Sequence, residues 1–130
     1  IKIDKLEDLM SKSDYISLHL PHIKSTHHII NEDMLIKMKK TAYIINCSRG
    51  GTVDEKALFK ILKEGRIAGA GIDVFENEPK LNQDLLKFPN VIVLPHLGSA
   101  TREARDGMAE LAVRNVINVL KGKQPITPVY

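Results

Sequence analysis

The chain has 130 residues, 43% of them apolar and 27% charged, which suits one ordinary domain with a real core and excludes a disordered segment. A net charge of +3, spread along the sequence and not interleaved with exposed aromatics, gives nucleic-acid binding little support. The longest apolar runs are strand-sized, which excludes a membrane-spanning helix. The single cysteine, Cys47, rules out an internal disulfide and fits a reducing, cytoplasmic setting. The start, Ile1-Lys2-Ile3-Asp4, has no signal-peptide character and no initiator Met, so a fragment or a processed product is expected.

In chain order, Asp4 with Glu7 three residues on reads as a capping box, opening a short amphipathic helix over 5–12. Tyr15 to Leu20 is a β-rich run that stops at Pro21. Asn31 can cap a second helix with Met34, Leu35 and Met38 on its apolar face. Residues 42–46 form a second strand, and Asp54 caps a third helix with Ala57, Leu58, Ile61 and Leu62 inward and Gly65 at its end. Strands follow over 67–74 and 91–94. Thr101 to Lys121 is one helix about 30 Å long at ~1.5 Å per residue, apolar widely enough to be covered on more than one side. Residues 1–122 are expected to form the domain, with 123–130 a tail or linker.

Strands alternate with helices, and the strands read as continuous apolar runs. The expected fold is α/β: a parallel sheet of about four strands with helices on both faces. In such a sheet, ligands bind beyond the carboxyl ends of the strands. Pro21, Arg49, Asp73 with Glu78, and His96 each lie at or just after a different strand's end, so they converge on one edge. A fixed cation, two acids and an imidazole suit proton transfer on a small carboxylate-bearing substrate. Each has a plainer alternative: a surface arginine, a structural histidine, a solvated Glu78, a turn-capping Asp73. Cys47 reads as a small buried residue rather than a nucleophile, and His19, His22, His27 and His28 lack metal-ligand spacing, so no metal site is expected. Gly69 and Gly71 admit a close approach by another backbone or a flat ligand.

Asn46-Cys47-Ser48-Arg49-Gly50-Gly51, Gly69 to Phe75 with Glu78-Pro79, and Pro95-His96-Leu97-Gly98 resemble the signatures of the D-isomer-specific 2-hydroxyacid dehydrogenases. Leu18-His19-Leu20-Pro21 also matches, so the resemblance covers nearly the whole chain, with phosphoglycerate dehydrogenase the nearest-looking member and serine biosynthesis the implied setting. The resemblance implies half of a Rossmann-type NAD-binding domain in an oxidoreductase. NAD is the cofactor, NADP being open, and the substrate is a D-2-hydroxy acid, 3-phosphoglycerate-like by preference. It further implies that Arg49 binds the substrate carboxylate and that His96 is the general acid/base. Glu78 would bond the imidazole, favour its protonated form and fix its tautomer. By the same resemblance, Asp73 holds the nicotinamide carboxamide. Cys47, Ser48, Arg49, His96, Leu97, Gly98 and Ser99 line that end of the cofactor, with Leu20 and Pro21 toward its middle.

No Gly-rich turn for a pyrophosphate and no ribose-binding acid after one occur in the sequence. Residues 1–130 alone are therefore expected to bind NAD weakly and to be inactive. The bare edge of strand 15–20 is expected to join a homo-oligomer. A competing reading is a non-catalytic half-domain that self-associates or binds a partner.

Overall fold

Tyr15–Leu18 (β1), Tyr43–Asn46 (β2), Gly69–Ile72 (β3) and Val91–Val93 (β4) form one parallel sheet in the order β1-β2-β3-β4. The computed structural model describes residues 2–129. It divides into two units, Ile1–His96 and Leu97–Tyr130. The sheet belongs to the first unit, with Leu6–Lys12 (α1), Glu32–Ile36 (α2) and Glu55–Lys63 (α3). The α/β class and the four-stranded parallel sheet are those expected from the sequence.

The register places side chains in rows across the sheet. Ile16, Ile44, Ala70 and Val91 align, as do Leu18, Asn46, Ile72 and Val93. These two rows join Met10, Leu35, Ile61 and Leu62 of the helices in one apolar cluster. The intervening rows, Tyr15–Tyr43–Gly69 and Ser17–Ile45–Gly71–Ile92, face away from it. Burial therefore alternates in β1 and β2 instead of being continuous, while β3 is buried at three of its four residues. Crossovers of the usual right hand between consecutively ordered strands fall on the same side of a sheet, and α2 and α3 share one face accordingly, with α1 joining them through Met10. The second helical layer expected from the sequence is not contributed by this unit. On the open side Tyr15 and Tyr43 stack with centroids 5.6 Å apart, and Tyr43 lies over Gly69.

Local signals explain most element ends. The Asn31 side chain accepts the Met34 amide, and Asp54 accepts those of Lys56 and Ala57. Ala57, Leu58, Ile61 and Leu62 are buried as expected, and Gly65, at φ 61°, ends α3 in the left-handed region. The expected cap at Asp4 is not formed: Lys5 holds the N-cap position without a side-chain bond, and Asp4 pairs with Lys2 at 3.0 Å. Gly69 is approached by the Asn90 carbonyl, which leaves no room for a Cβ. Gly71 has ordinary space around it.

The second unit is built on Arg102–Leu120 (α4), capped by Thr101 through the Ala104 amide. None of its residues is buried, so the covering expected for its apolar stripe does not come from the described residues. Residues 123–129 fold back along α4, where Asn115 Oδ1 accepts the amides of Ile126 and Thr127. Among the described residues, no helix is long and apolar enough to cross a membrane.

Ile61 is fully buried in the cluster, so Ile61→Ala should cost about 2–5 kcal/mol. Urea denaturation measures this; a loss below about 1 kcal/mol would contradict the position of the core.

Candidate active site at the carboxyl edge of the sheet

Because the four strands are parallel, their carboxyl ends lie at one edge, and backbone bonds stitch the segments that follow them. The Asp73 amide donates to the Asn46 carbonyl at 2.9 Å, and the His96 amide donates to the Asp73 carbonyl at 2.9 Å. Residues far apart in sequence thus become neighbours just past the strand ends. Asp73 is 2% exposed there.

The central contact is between His96 Nδ1 and Glu78 Oε2, at 2.9 Å. The other Glu78 oxygen, Oε1, accepts the Phe75 amide at 3.0 Å. The Glu78 carboxyl is held below its ordinary value by the His96 hydrogen bond first, then by the Phe75 amide, with Arg49 contributing through its charge. His96 has φ 56°, a left-handed conformation rarely adopted outside glycine, asparagine and aspartate. Such a residue costs about 1–3 kcal/mol and persists only where its surroundings over-determine it. The bonds to Asp73 and Glu78 do so here. With Nδ1 engaged, Nε2 is the ring nitrogen positioned to exchange a proton with a ligand. The Glu78–Pro79 peptide is cis.

Arg49 stands exposed on the turn after β2, its Nη1 donating to the Ser48 carbonyl at 2.7 Å. Cys47 is exposed, not the small buried residue expected from the sequence, and Ser48 is half-buried. Leu20 is half-buried and Pro21 exposed after β1. Leu97, Gly98 and Ser99 belong to the second unit.

One positioning residue escaped the sequence reading. Asn46 is 1% exposed, and its amide holds the whole turn. Oδ1 accepts Ser48 N and Ser48 Oγ at 3.1 and 2.9 Å, while Nδ2 donates to the Arg49 carbonyl and to Thr52 Oγ1 at 3.1 and 3.3 Å. The signal available was an amide closing an apolar run two residues before Ser48. Gly50 presses the same turn against Phe75, where an added Cβ would stand 1.9 Å from the Phe75 carbonyl carbon. The arginine turn and the acidic loop are thereby fitted to each other.

A second missed contact lies behind them. The Glu55 amide donates to Glu76 Oε1 at 2.9 Å, and the Glu76 amide donates to Glu55 Oε1 at 2.6 Å. Burial raises the Glu55 pKa, the Glu76 amide opposing and the Glu76 charge adding to it. His28 Nε2 sits 2.9 Å from Glu76 Oε1, yet off the line that a hydrogen bond needs. His28, Asp54 and Glu76 bring three ligand-type atoms within 4.8 Å of one another. Glu76 Oε1 already accepts an amide, so the cluster acts as a clamp between α3 and the acidic loop.

Gly50→Ala should destabilise the chain by about 1–3 kcal/mol through overpacking. Gly107→Ala, in open space on α4, should gain about 0.5–1 kcal/mol. Denaturant titration of both measures the contrast, and equal effects would refute the fit between the two loops.

Residues 1–98 match the sequence model of the D-isomer specific 2-hydroxyacid dehydrogenase, NAD binding domain. The chain is 60% identical over 121 residues to a glyoxylate reductase of Thermofilum pendens, covering 92% of this chain and 36% of that protein. It is 56% identical over 119 residues to a glyoxylate reductase of Thermococcus litoralis, with the same coverage of 92% and 36%. It thus spans little more than a third of these relatives' length. Among solved structures, it resembles an NADPH-dependent glyoxylate/hydroxypyruvate reductase from Sinorhizobium meliloti in complex with NADP and malonate. The TM-score is 0.92 at 41% identity, over 95% of this chain and 39% of that one. An NAD-complexed D-isomer specific 2-hydroxyacid dehydrogenase from Lactobacillus delbrueckii gives a TM-score of 0.85 at 33% identity, over 96% of this chain and 42% of that one. The family expected from the motifs is therefore the family found: the chain belongs to the D-isomer-specific 2-hydroxyacid dehydrogenases, within their NAD-binding domain.

Proposed function

We propose that the intact protein is an NAD(P)-dependent oxidoreductase that interconverts a 2-oxo acid and the corresponding D-2-hydroxy acid. The observation that carries this reading is the 2.9 Å contact of His96 with Glu78 at the sheet edge that also bears Arg49.

Arg49 binds the substrate carboxylate, its planar guanidinium offering two parallel hydrogen bonds. His96 donates a proton from Nε2 to the carbonyl oxygen during reduction and takes it from the hydroxyl in the reverse direction. Glu78 orients the ring through Nδ1. The residues present fit the nicotinamide end of a dinucleotide. Exposed Cys47 and half-buried Ser48 follow β2, exposed Pro21 and half-buried Leu20 follow β1, and Asp73 follows β3. A bound nicotinamide supplies or accepts the hydride.

The identity of the acid is a finer point. The glyoxylate reductases among the relatives make glyoxylate the first substrate to try. A 3-phosphoglycerate-like substrate, expected from the motifs, has less behind it, because the cavity beside His96 has no Lys or Arg among its lining residues to pair a phosphate. Self-association is a second proposal, supported by β1 standing at a sheet edge with Tyr15 72% exposed beside it. A monomeric sedimentation profile of residues 1–130 would exclude it.

His96→Ala should lower kcat by about 10²–10⁴-fold, and Arg49→Lys should act mainly on KM, both read from nicotinamide absorbance with glyoxylate. Unchanged kcat in His96→Ala would remove the acid/base assignment.

The lowered Glu78 pKa also fixes a sign. A depressed carboxyl adds stability that is present above its unfolded value of about 4.3, and this is lost as pH falls through the lower folded value. Glu78→Gln should therefore lower Tm near neutrality, with the gap closing in acid. A gap independent of pH would refute the electrostatic contribution.

A further inference from the structure

Among the described residues, two other than glycine have a left-handed backbone: His96, and His28 at φ 49°. Both are histidines, and each ring places a nitrogen 2.9 Å from a carboxylate of the same loop. His96 Nδ1 meets Glu78, and His28 Nε2 meets Glu76 two residues earlier. Such a backbone persists only where its surroundings over-determine it. The acid/base step employs the first pair and leaves the second without a task.

His28 stands where three segments behind the site meet. Its amide donates to the Gly51 carbonyl at 2.9 Å, on the turn that carries Arg49, and the Ile30 amide donates to the Thr52 carbonyl at 3.1 Å. Its ring lies between the acidic loop and the start of α3, with Nδ1 4.0 Å from Asp54 Oδ2. The His27 ring stacks on it with centroids 3.9 Å apart, and His27 Nδ1 is 3.0 Å from His22 Nε2. His22 lies against Gly51, where an added Cβ would come within 2.5 Å of its ring. Packing therefore fixes the His28 ring independently of Glu76.

Two lone pairs 2.9 Å apart repel, so the ring nitrogen facing Glu76 carries a proton. Its N–H is off the line of a hydrogen bond, which leaves an electrostatic attraction to the carboxylate. The oxygen it faces, Oε1, is the one that accepts the Glu55 amide. That oxygen is thus held from α3 and from the segment after β1 at once, two residues before Glu78.

We propose that His28 is a positioning residue for the reaction: its ring holds Glu76, and with it the acidic loop, where Glu78 meets His96. The inference rests on the dehydrogenase reading above and adds to it a residue that acts only through others.

The test uses the intact protein carrying His28→Asn or Glu76→Gln. Asparagine tolerates the left-handed backbone, and glutamine keeps an oxygen for the Glu55 amide while losing the charge, so both should fold. A thermal melt checks this, and His28→Gly, which relieves the backbone altogether, replaces His28→Asn if that variant fails. NMR of carboxyl-labelled glutamate, assigned with Glu78→Gln, reads the Glu78 titration. In each variant its midpoint should rise toward the ordinary glutamate value as the bonds to His96 and Phe75 loosen. With glyoxylate, kcat should fall about tenfold while KM changes by less than about twofold. The double variant should be no slower than the slower single one. A clamp that only stabilises the fold would lower Tm and leave the active site as it was. Should the Glu78 midpoint or kcat stay at its wild-type value in both variants, the inference is overturned and the dehydrogenase reading stands. No turnover by wild type overturns that reading, and the Glu78 midpoint alone then decides whether His28 holds the loop.

Discussion

One carboxylate holds the site together. Glu78 uses one oxygen on the Phe75 amide and the other on His96 Nδ1, so it couples its own loop to the segment after β4. Phe75 in turn lies under Gly50, which brings the arginine turn into the same construction. Any movement of the acidic loop is therefore felt by the imidazole and by the turn that carries Arg49. The strained backbone at His96 is stable only inside this arrangement.

Behind the site, the sheet does two jobs. Its buried rows supply the apolar area that offsets chain entropy, and its parallel direction brings every strand end to one edge. Asn46 stands where the two meet. It ends β2 in the row between Leu18 and Ile72, yet its amide is spent entirely on the turn that follows. Burying an amide is tolerable because both of its polar atoms are bonded, and the same bonds fix the path of the main chain at Arg49. Stability and chemistry share that residue.

Much of this was legible in the sequence. Strand-sized apolar runs located all four strands, though each is shorter in the structure than its run. Asn31, Asp54 and Thr101 announced helix starts because a short polar side chain ahead of an apolar period has one common use. Asp4 offered the same pattern, and failed because the helix begins a residue later and the acid pairs with Lys2 instead. The rule that strand ends share an edge gathered Arg49, Asp73, Glu78 and His96 without any contact being known. Three things were hidden. Nothing in the sequence says which face Tyr15 and Tyr43 take, and only the register shows them stacked on the open face. Asn46 opens one of the recognised motifs, but nothing in that motif says that its amide holds the turn. The exchange between Glu55 and Glu76 joins residues 21 positions apart, which no local pattern reports.

The proposed function requires that, in the intact protein, a nicotinamide bound at this sheet edge would give a hydride to one face of a 2-oxo acid while His96 delivers the proton. Chiral analysis of the product made by the intact protein from pyruvate and NADH or NADPH tests it most directly. D-lactate is expected, formed about 10²–10⁴-fold more slowly in His96→Ala. L-lactate, a racemic product, or D-lactate formed equally well without the imidazole would contradict it.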